Sequence, residues 1–267
     1  MPGPETEVTS GPSAIALPGV RDLILVLADS KRLLGMRYAG WILGAPELEA
    51  GIACASMAQD EWGHGRLLYA LLKEFGDDVD ALEHGREAAQ YRNVELLDRE
   101  PSGWPELVAI NVFVDGALSV QLDALRESSW APARLRVAKM LDEERFHAAH
   151  GAAWFRRLAR GGDSATEALA RATDAALPIM LHWFGPDSER EQLLADEGVL
   201  DARASKLRAR FVDRVSLLLS DVDRDAADVR LDFGAYDEVT RRSSGGGPDP
   251  RTIEQVRGDK NRTFLMD

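Results

Sequence analysis

The chain is poor in cysteine, in histidine and in positive charge, and each shortage removes a class of function. Cys54 is the only cysteine, so no intrachain disulfide can form and metal sites built on several thiolates are excluded. The lone thiol reads as a small buried apolar side chain, and a single cysteine suits a reducing cytoplasm. Lys and Arg number 32 against 45 Asp and Glu, leaving a net charge of −13 over 267 residues. So acidic a composition argues against nucleic acid as the main partner and against a polybasic membrane contact. No apolar run reads as long enough to span a bilayer, and the N-terminus lacks the basic start and apolar stretch of a signal peptide. The expectation is a soluble, cytoplasmic protein that works without membrane or nucleic acid. Strand alternation, a Gly-rich phosphate loop and a nucleophile elbow are also missing.

What is present is helical periodicity. Residues 1–18 are rich in Pro, Gly, Ser and Thr and read as a flexible arm. A first helix is expected over about 20–41, an apolar stretch interrupted by Asp29, Lys31 and Arg32. Gly44-Ala45-Pro46 breaks it, and Pro46 with Glu47 and Glu49 starts a second helix that ends near Gly76. A loop and a short helix through Val94–Leu97 follow. Long helices are then expected from Pro105 to Ser128, from Pro132 to about Arg160 and from Ser164 to Trp183, the last kinked or split at Pro178. A short helix near Gln192 and a longer one from Asp201 to Leu219 complete an all-α domain over 19–235. Residues 236–267 read as an extended tail, partly basic and suited to a partner.

Two stretches carry the chemistry. Asp60-Glu61-Trp62-Gly63-His64 and Glu143-Glu144-Arg145-Phe146-His147 each contain Glu-x-x-His, in a chain with five histidines. Positions i and i+3 lie one turn apart on the same helical face, so a carboxylate and an imidazole can grip one ion from one side. Glu61 and His64 share a face with Cys54, Met57 and Leu68; Glu144 and His147 share one with Val137, Met140 and Gly151. Those faces are otherwise apolar or small. Burying an unpaired carboxylate costs several kcal/mol. Either something cationic sits opposite, or these helices turn their acids to water as plain i,i+3 contacts. Asp115 lies in the apolar run Val112-Phe113-Val114-Asp115-Gly116-Ala117, a poor place for Asp without a specific partner. A metal, or a bond to Asn111 or to a neighbouring helix, would satisfy it. His150 and His182 read as plain surface, core or interface residues.

Two Glu-x-x-His helices plus one carboxylate from each of two more helices is the ligand set of a ferritin-like di-metal bundle. The blocks Gly40-Trp41, Ala45-Pro46-Glu47-Leu48-Glu49 and Gln59 to Gly65 resemble the paired ferritin-like subunits of bacterial phenylacetyl-CoA epoxidase. Val114-Asp115-Gly116-Ala117, the Glu143 to His147 block, Phe184-Gly185-Pro186 and Asp232-Phe233-Gly234 resemble the catalytic, iron-binding subunit. Ala45 to Glu49 and Asp29 are closer to the companion subunit, which has lost its iron ligands. The likeness runs from about residue 20 to 235.

By that resemblance Glu61, His64, Asp115, Glu144 and His147 fall on metal-ligand positions, and the cofactor implied is Fe, as two ions, with one ion or Mn as variants. The implied activity is an oxygenase that uses O2 to oxidise an aromatic or acyl-CoA substrate, fed with electrons by a reductase. The implied assembly is a homodimer or a hetero-oligomer with a related helical subunit. Arg156, Arg157 and Arg160 are candidates for the phosphates of a CoA thioester, against a simpler reading as a solvated face. The first helix departs from the pattern, offering Lys31 or Arg32 where the catalytic subunit has a ligand glutamate. Asp29, within a turn, is the candidate substitute. With Asp29 four carboxylates would balance two divalent ions; an inward Lys31 would leave a net of minus two, suiting one ion. In a third case Lys31 and Arg32 replace metal altogether, and the chain is a metal-free structural subunit paired with a catalytic sister. The imidazoles weigh against that case, because a salt-bridged core has no evident need of them.

Overall fold

A computed structural model describes residues 11–258 and 263–264; most of the expected N-terminal arm and the basic run beyond Gly258 lie outside them. The described residues are helical apart from turns and one isolated antiparallel bridge between Asp237 and Arg242. In chain order the helices are α1 (Leu17–Ala39), α2 (Leu48–Leu71), α3 (Val79–His84), α4 (Trp104–Ala109), α5 (Gly116–Asp123), α6 (Ala131–Ala159), α7 (Asp163–Trp183), α8 (Glu189–Asp196), α9 (Ala204–Ser220) and α10 (Pro250–Arg257). This is an all-α architecture consistent with a ferritin-like bundle. Its four central helical segments are α1, α2, the α4–α5 segment and α6.

Helix α1 is buried along most of its length, the charged Asp29, Lys31 and Arg37 included. It packs against α2 over much of both helices, and glycines set the spacing. A Cβ on Gly65 would lie 3.3 Å from the backbone nitrogen of Arg32, and one on Gly35 would lie 2.7 Å from the Trp62 ring. Past Leu71, α2 tightens into a 3₁₀ turn and stops at Gly76, whose φ of 81° is left-handed.

Helices α4 and α5 are one continuous element joined by a π-turn over Ile110–Asp115. Wide turns of this kind are rare and concentrate at functional sites. By length and composition Trp104–Asp123 could cross a bilayer, contrary to the sequence reading, but 89% of its apolar window is buried within the protein. It is the central helix of the bundle. Helix α6 passes it at Gly151, where an added Cβ would meet the Asn111 side chain at 1.9 Å.

Two expectations about helix limits change. Helix α7 is not split: it runs through Pro178, forgoing the one hydrogen bond that proline cannot donate. The region read as an extended tail contains α10. Its boundaries follow ordinary rules, with Asp249 accepting from Thr252 N, Pro250 in the first turn and Gly258 left-handed at the end. It holds because Ile253 and Val256 are buried and Thr252 Oγ1 accepts from the buried Arg37 guanidinium at 2.7 Å.

Replacing Gly151 with Val is expected to lower unfolding free energy by about 1–3 kcal/mol in urea, the usual cost of overpacking a filled core, since Asn111 has to leave its place.

Candidate functional site

The bundle centre holds Glu61 from α2, Asp115 from the π-turn, and Glu144 and His147 from α6, all buried, with their ligand-type atoms within 4.8 Å of one another. His64 completes the group through Nδ1, 3.2 Å from Glu144 Oε1. The spacing argument thus brings five predicted residues to one point. The sixth, Asp29, is elsewhere. Its carboxylate accepts from both terminal nitrogens of Arg86, from the Tyr69 hydroxyl and from the backbone nitrogen of Arg92. It lies on α1 but faces the α3 connection, so it does not replace the missing glutamate.

Lys31 points inward and occupies the middle. Its Nζ donates to Glu61 Oε1 at 3.0 Å, to Asp115 Oδ1 at 2.8 Å and to Glu144 Oε1 at 2.5 Å. All three protons of the ammonium are committed, and the residue has no exposed surface. Arg32 takes the other direction, toward His84 and the Val256 carbonyl.

An outer layer laces the two motif helices together. His64 Nε2 lies 2.8 Å from Glu143 Oε2, and His147 Nε2 lies 3.3 Å from Asp60 Oδ2. Each imidazole of one helix is thus held by an acid of the other. Such carboxylate–histidine pairs fix the ring so that its remaining nitrogen faces the centre. Sequence reasoning missed Asp60 and Glu143, yet the signal was present, because an acid immediately precedes the glutamate in both motifs. Tyr38 donates to Asp115 Oδ2 at 3.0 Å and Ser119 to Glu144 Oε2 at 2.8 Å. Glu61 Oε2 has no hydrogen-bond partner. A cleft of about 220 Å³ between α5, α6 and α9 reaches Asp115 and Glu144, with Arg214 at its side.

Burial and charge pull against each other here. Burial would lower the Lys31 ammonium, but Asp115, Glu144 and Glu61 outweigh it and hold its pKa well above the ordinary value. Burial likewise works against a charged His147, and its bonds to Asp115 and Glu61 reverse this and push it up to about 11. His64 is raised in the same way, burial being outweighed by Glu144 and Glu61. Burial pushes Glu61 up to about 7 despite Lys31. Asp115 is held well below the carboxylate range, since Lys31 and His147 overcome its desolvation. His147 therefore has a use in a salt-bridged core after all, as a second cation beside Lys31.

The remaining candidates lie outside. Arg157 pairs with Glu47 and Arg156 approaches Asp221 on the surface, as a solvated face would. His182 stacks on Phe233 and contacts Ser243 and the Asp232 carbonyl.

A family model described as phenylacetic acid catabolic protein matches residues 14–230. Two different subunits of the 1,2-phenylacetyl-CoA epoxidase of Escherichia coli (strain K12) are similar to this chain. One is 28% identical over 177 residues, 66% of this chain and 71% of that protein. The other is 27% identical over 185 residues, 68% of this chain and 60% of that protein, less than two thirds of its length.

Two outcomes follow from this electrostatic arrangement. Lys31→Ala, which strands three carboxylates, should cost about 3–5 kcal/mol in chemical denaturation, the range for removing one partner of a buried ion pair. His147 is raised above its ordinary 6.5, so its contribution is complete below that pH and is lost as pH climbs toward about 11. Unfolding midpoints should therefore fall steadily from neutrality to pH 11, and His147→Gln should flatten that slope.

Proposed function

The chain belongs to the phenylacetic acid catabolic protein family, and from that premise we propose that it is a metal-free structural subunit of an epoxidase-type oxygenase. In this reading Lys31, with a charged His147, balances the three carboxylates in place of metal. The chain then pairs with a catalytic sister subunit that binds iron and receives electrons from a reductase. The substrate of the assembly would be an aromatic or acyl group carried on CoA.

One observation carries the reading: the Lys31 ammonium sits within hydrogen-bond distance of all three central carboxylates. The donor types would suit iron or manganese, but the residues present do not fit a pair of divalent ions. Two such ions need about four carboxylates for neutrality, and this centre has three with a cation already among them. Seating even one ion requires the ammonium to leave a fully buried place and three partners. With Lys31 and His147 charged against Glu61, Asp115 and Glu144, most of the negative charge is already balanced.

A second reading has its own support. Both Glu-x-x-His pairs are intact, and Asp60 and Glu143 orient the imidazoles as the outer carboxylates of metal sites do. That arrangement favours an oxygenase with one iron or manganese ion, Lys31 having swung aside.

Metal analysis of protein expressed under iron-replete conditions separates the two. The structural reading expects no stoichiometric iron or manganese in the wild type, and Lys31→Glu, which supplies the fourth carboxylate, should acquire metal. One or two ions per wild-type chain would overturn it in favour of the oxygenase.

A further inference from the structure

The segment after α9 returns along α7, where His182 meets the Asp232 carbonyl and Ser243, and it borders two cavities. One, of about 330 Å³, has Pro178, Ile179, Trp183 and Leu231 among its walls. The other, of about 350 Å³, is lined by Tyr91, Thr240, Ser243, Ser244, Gly245 and Gly246, among others. Arg242 and Ser243 line both, so the two adjoin. Each is within the range of small-ligand sites, ~300–1,000 Å³. The first half offers an apolar wall with one indole. The second is rich in hydroxyls and bare backbone, and a Cβ added at Gly245 or Gly246 would meet nothing within 4 Å.

Each half also holds a buried polar atom with nothing to bond. Trp183 Nε1 and the Tyr91 hydroxyl have no hydrogen-bond partner among the described residues, although Trp183 is 2% exposed and Tyr91 1%. Orphans of this kind are rare in native interiors and call for something that completes them. The facing wall is fixed in advance. Asp237 N donates to the Arg242 carbonyl at 2.8 Å and Arg241 N to the Asp237 carbonyl at 2.7 Å, which closes residues 237–242 into a tight loop. A preformed wall lowers the ordering cost of binding.

Charge narrows the occupant. Arg241 is paired with Glu191 and Arg242 with Asp98, both at 2.7 Å. Against Arg230 stand Glu95, Asp232 and Asp237 on the same walls. No surplus of positive charge is left to hold a phosphate or a carboxylate. From the two orphaned atoms and this balance we infer that the groove binds an uncharged nucleoside. Its base lies in the apolar half, where Trp183 Nε1 donates to a ring nitrogen. Its sugar lies in the hydroxyl-rich half beside Tyr91, Ser243 and Ser244. A flat heteroaromatic ring joined to a polyol matches both halves. The groove shares no residue with the Lys31 centre, so either answer about metal there leaves it standing.

The test is calorimetric titration of the purified full chain with adenosine. Wild type should bind one equivalent with a dissociation constant on the order of 100 μM or tighter, and AMP should bind more weakly than adenosine. Tyr91→Phe removes one oxygen that has no partner, so the melting temperature should not fall, while adenosine affinity should drop roughly 5- to 10-fold. Its affinity for adenine alone should not change. Trp183→Phe should weaken adenosine and adenine together; if that variant does not fold, Tyr91→Phe decides alone. Lys139→Gln, an exposed site on α6, should bind as wild type does. Absence of saturable adenosine binding, an affinity indifferent to Tyr91→Phe, or tighter binding of AMP than of adenosine would each overturn the inference.

Discussion

An ammonium group enclosed by three carboxylates sets the terms for the rest of this protein. Lys31 reaches the centre from α1, and its partners come from α2, the π-turn and α6. Four segments distant in sequence are therefore tied through a single nitrogen. In a low-dielectric interior neither the cation nor the acids are tolerable alone. The bundle must close around all of them together, and Tyr38, Ser119, Asp60 and Glu143 occupy acceptor and donor positions around that knot.

Much of this was legible in the sequence, for identifiable reasons. Glu-x-x-His at helical spacing on apolar faces pointed Glu61, His64, Glu144 and His147 to a common interior, where they converge, and Asp115 stood out as an acid in an apolar run. The requirement that something cationic face these acids also followed from burial alone. Which cation did not. Lys31 and Arg32 are adjacent and lie about 100° apart on the helix, so their directions depend on how α1 is rotated in the bundle, a tertiary fact. The placement of Asp29 was illegible for the same reason. Its partners Arg86 and Tyr69 come from segments whose positions no periodicity predicts. Helix α10 was hidden by its short length and by flanking Gly and Pro. It is held by burial of Ile253 and Val256 and by a side-chain contact with Arg37 on α1, over 200 residues away in the chain.

The site retains features that Lys31 alone would not require. Crossed histidine–acid pairs, a cleft reaching Asp115 and Glu144, and an unsatisfied Glu61 oxygen all resemble the surroundings of a metal more than those of a buried lysine. The family to which the chain belongs makes that resemblance intelligible. A site of this kind can exchange one form of positive charge for another while its supporting residues stay in place, since they respond to charge and geometry and not to what supplies the charge.

The π-turn at Ile110–Asp115 has a consequence for how this chain can vary. A wide turn contains one residue more than the surrounding helix requires. Because the turn absorbs that residue, the helix keeps its register on both sides: Trp104 stays packed against Trp41 and Trp154, with ring centroids 5.8 and 4.9 Å away. Deleting one residue there would restore ordinary winding and leave that aromatic cluster in place. What it would re-aim is the turn itself, and Asp115 with it. Length at this point is thus tied to the direction of one carboxylate and to little else in the helix.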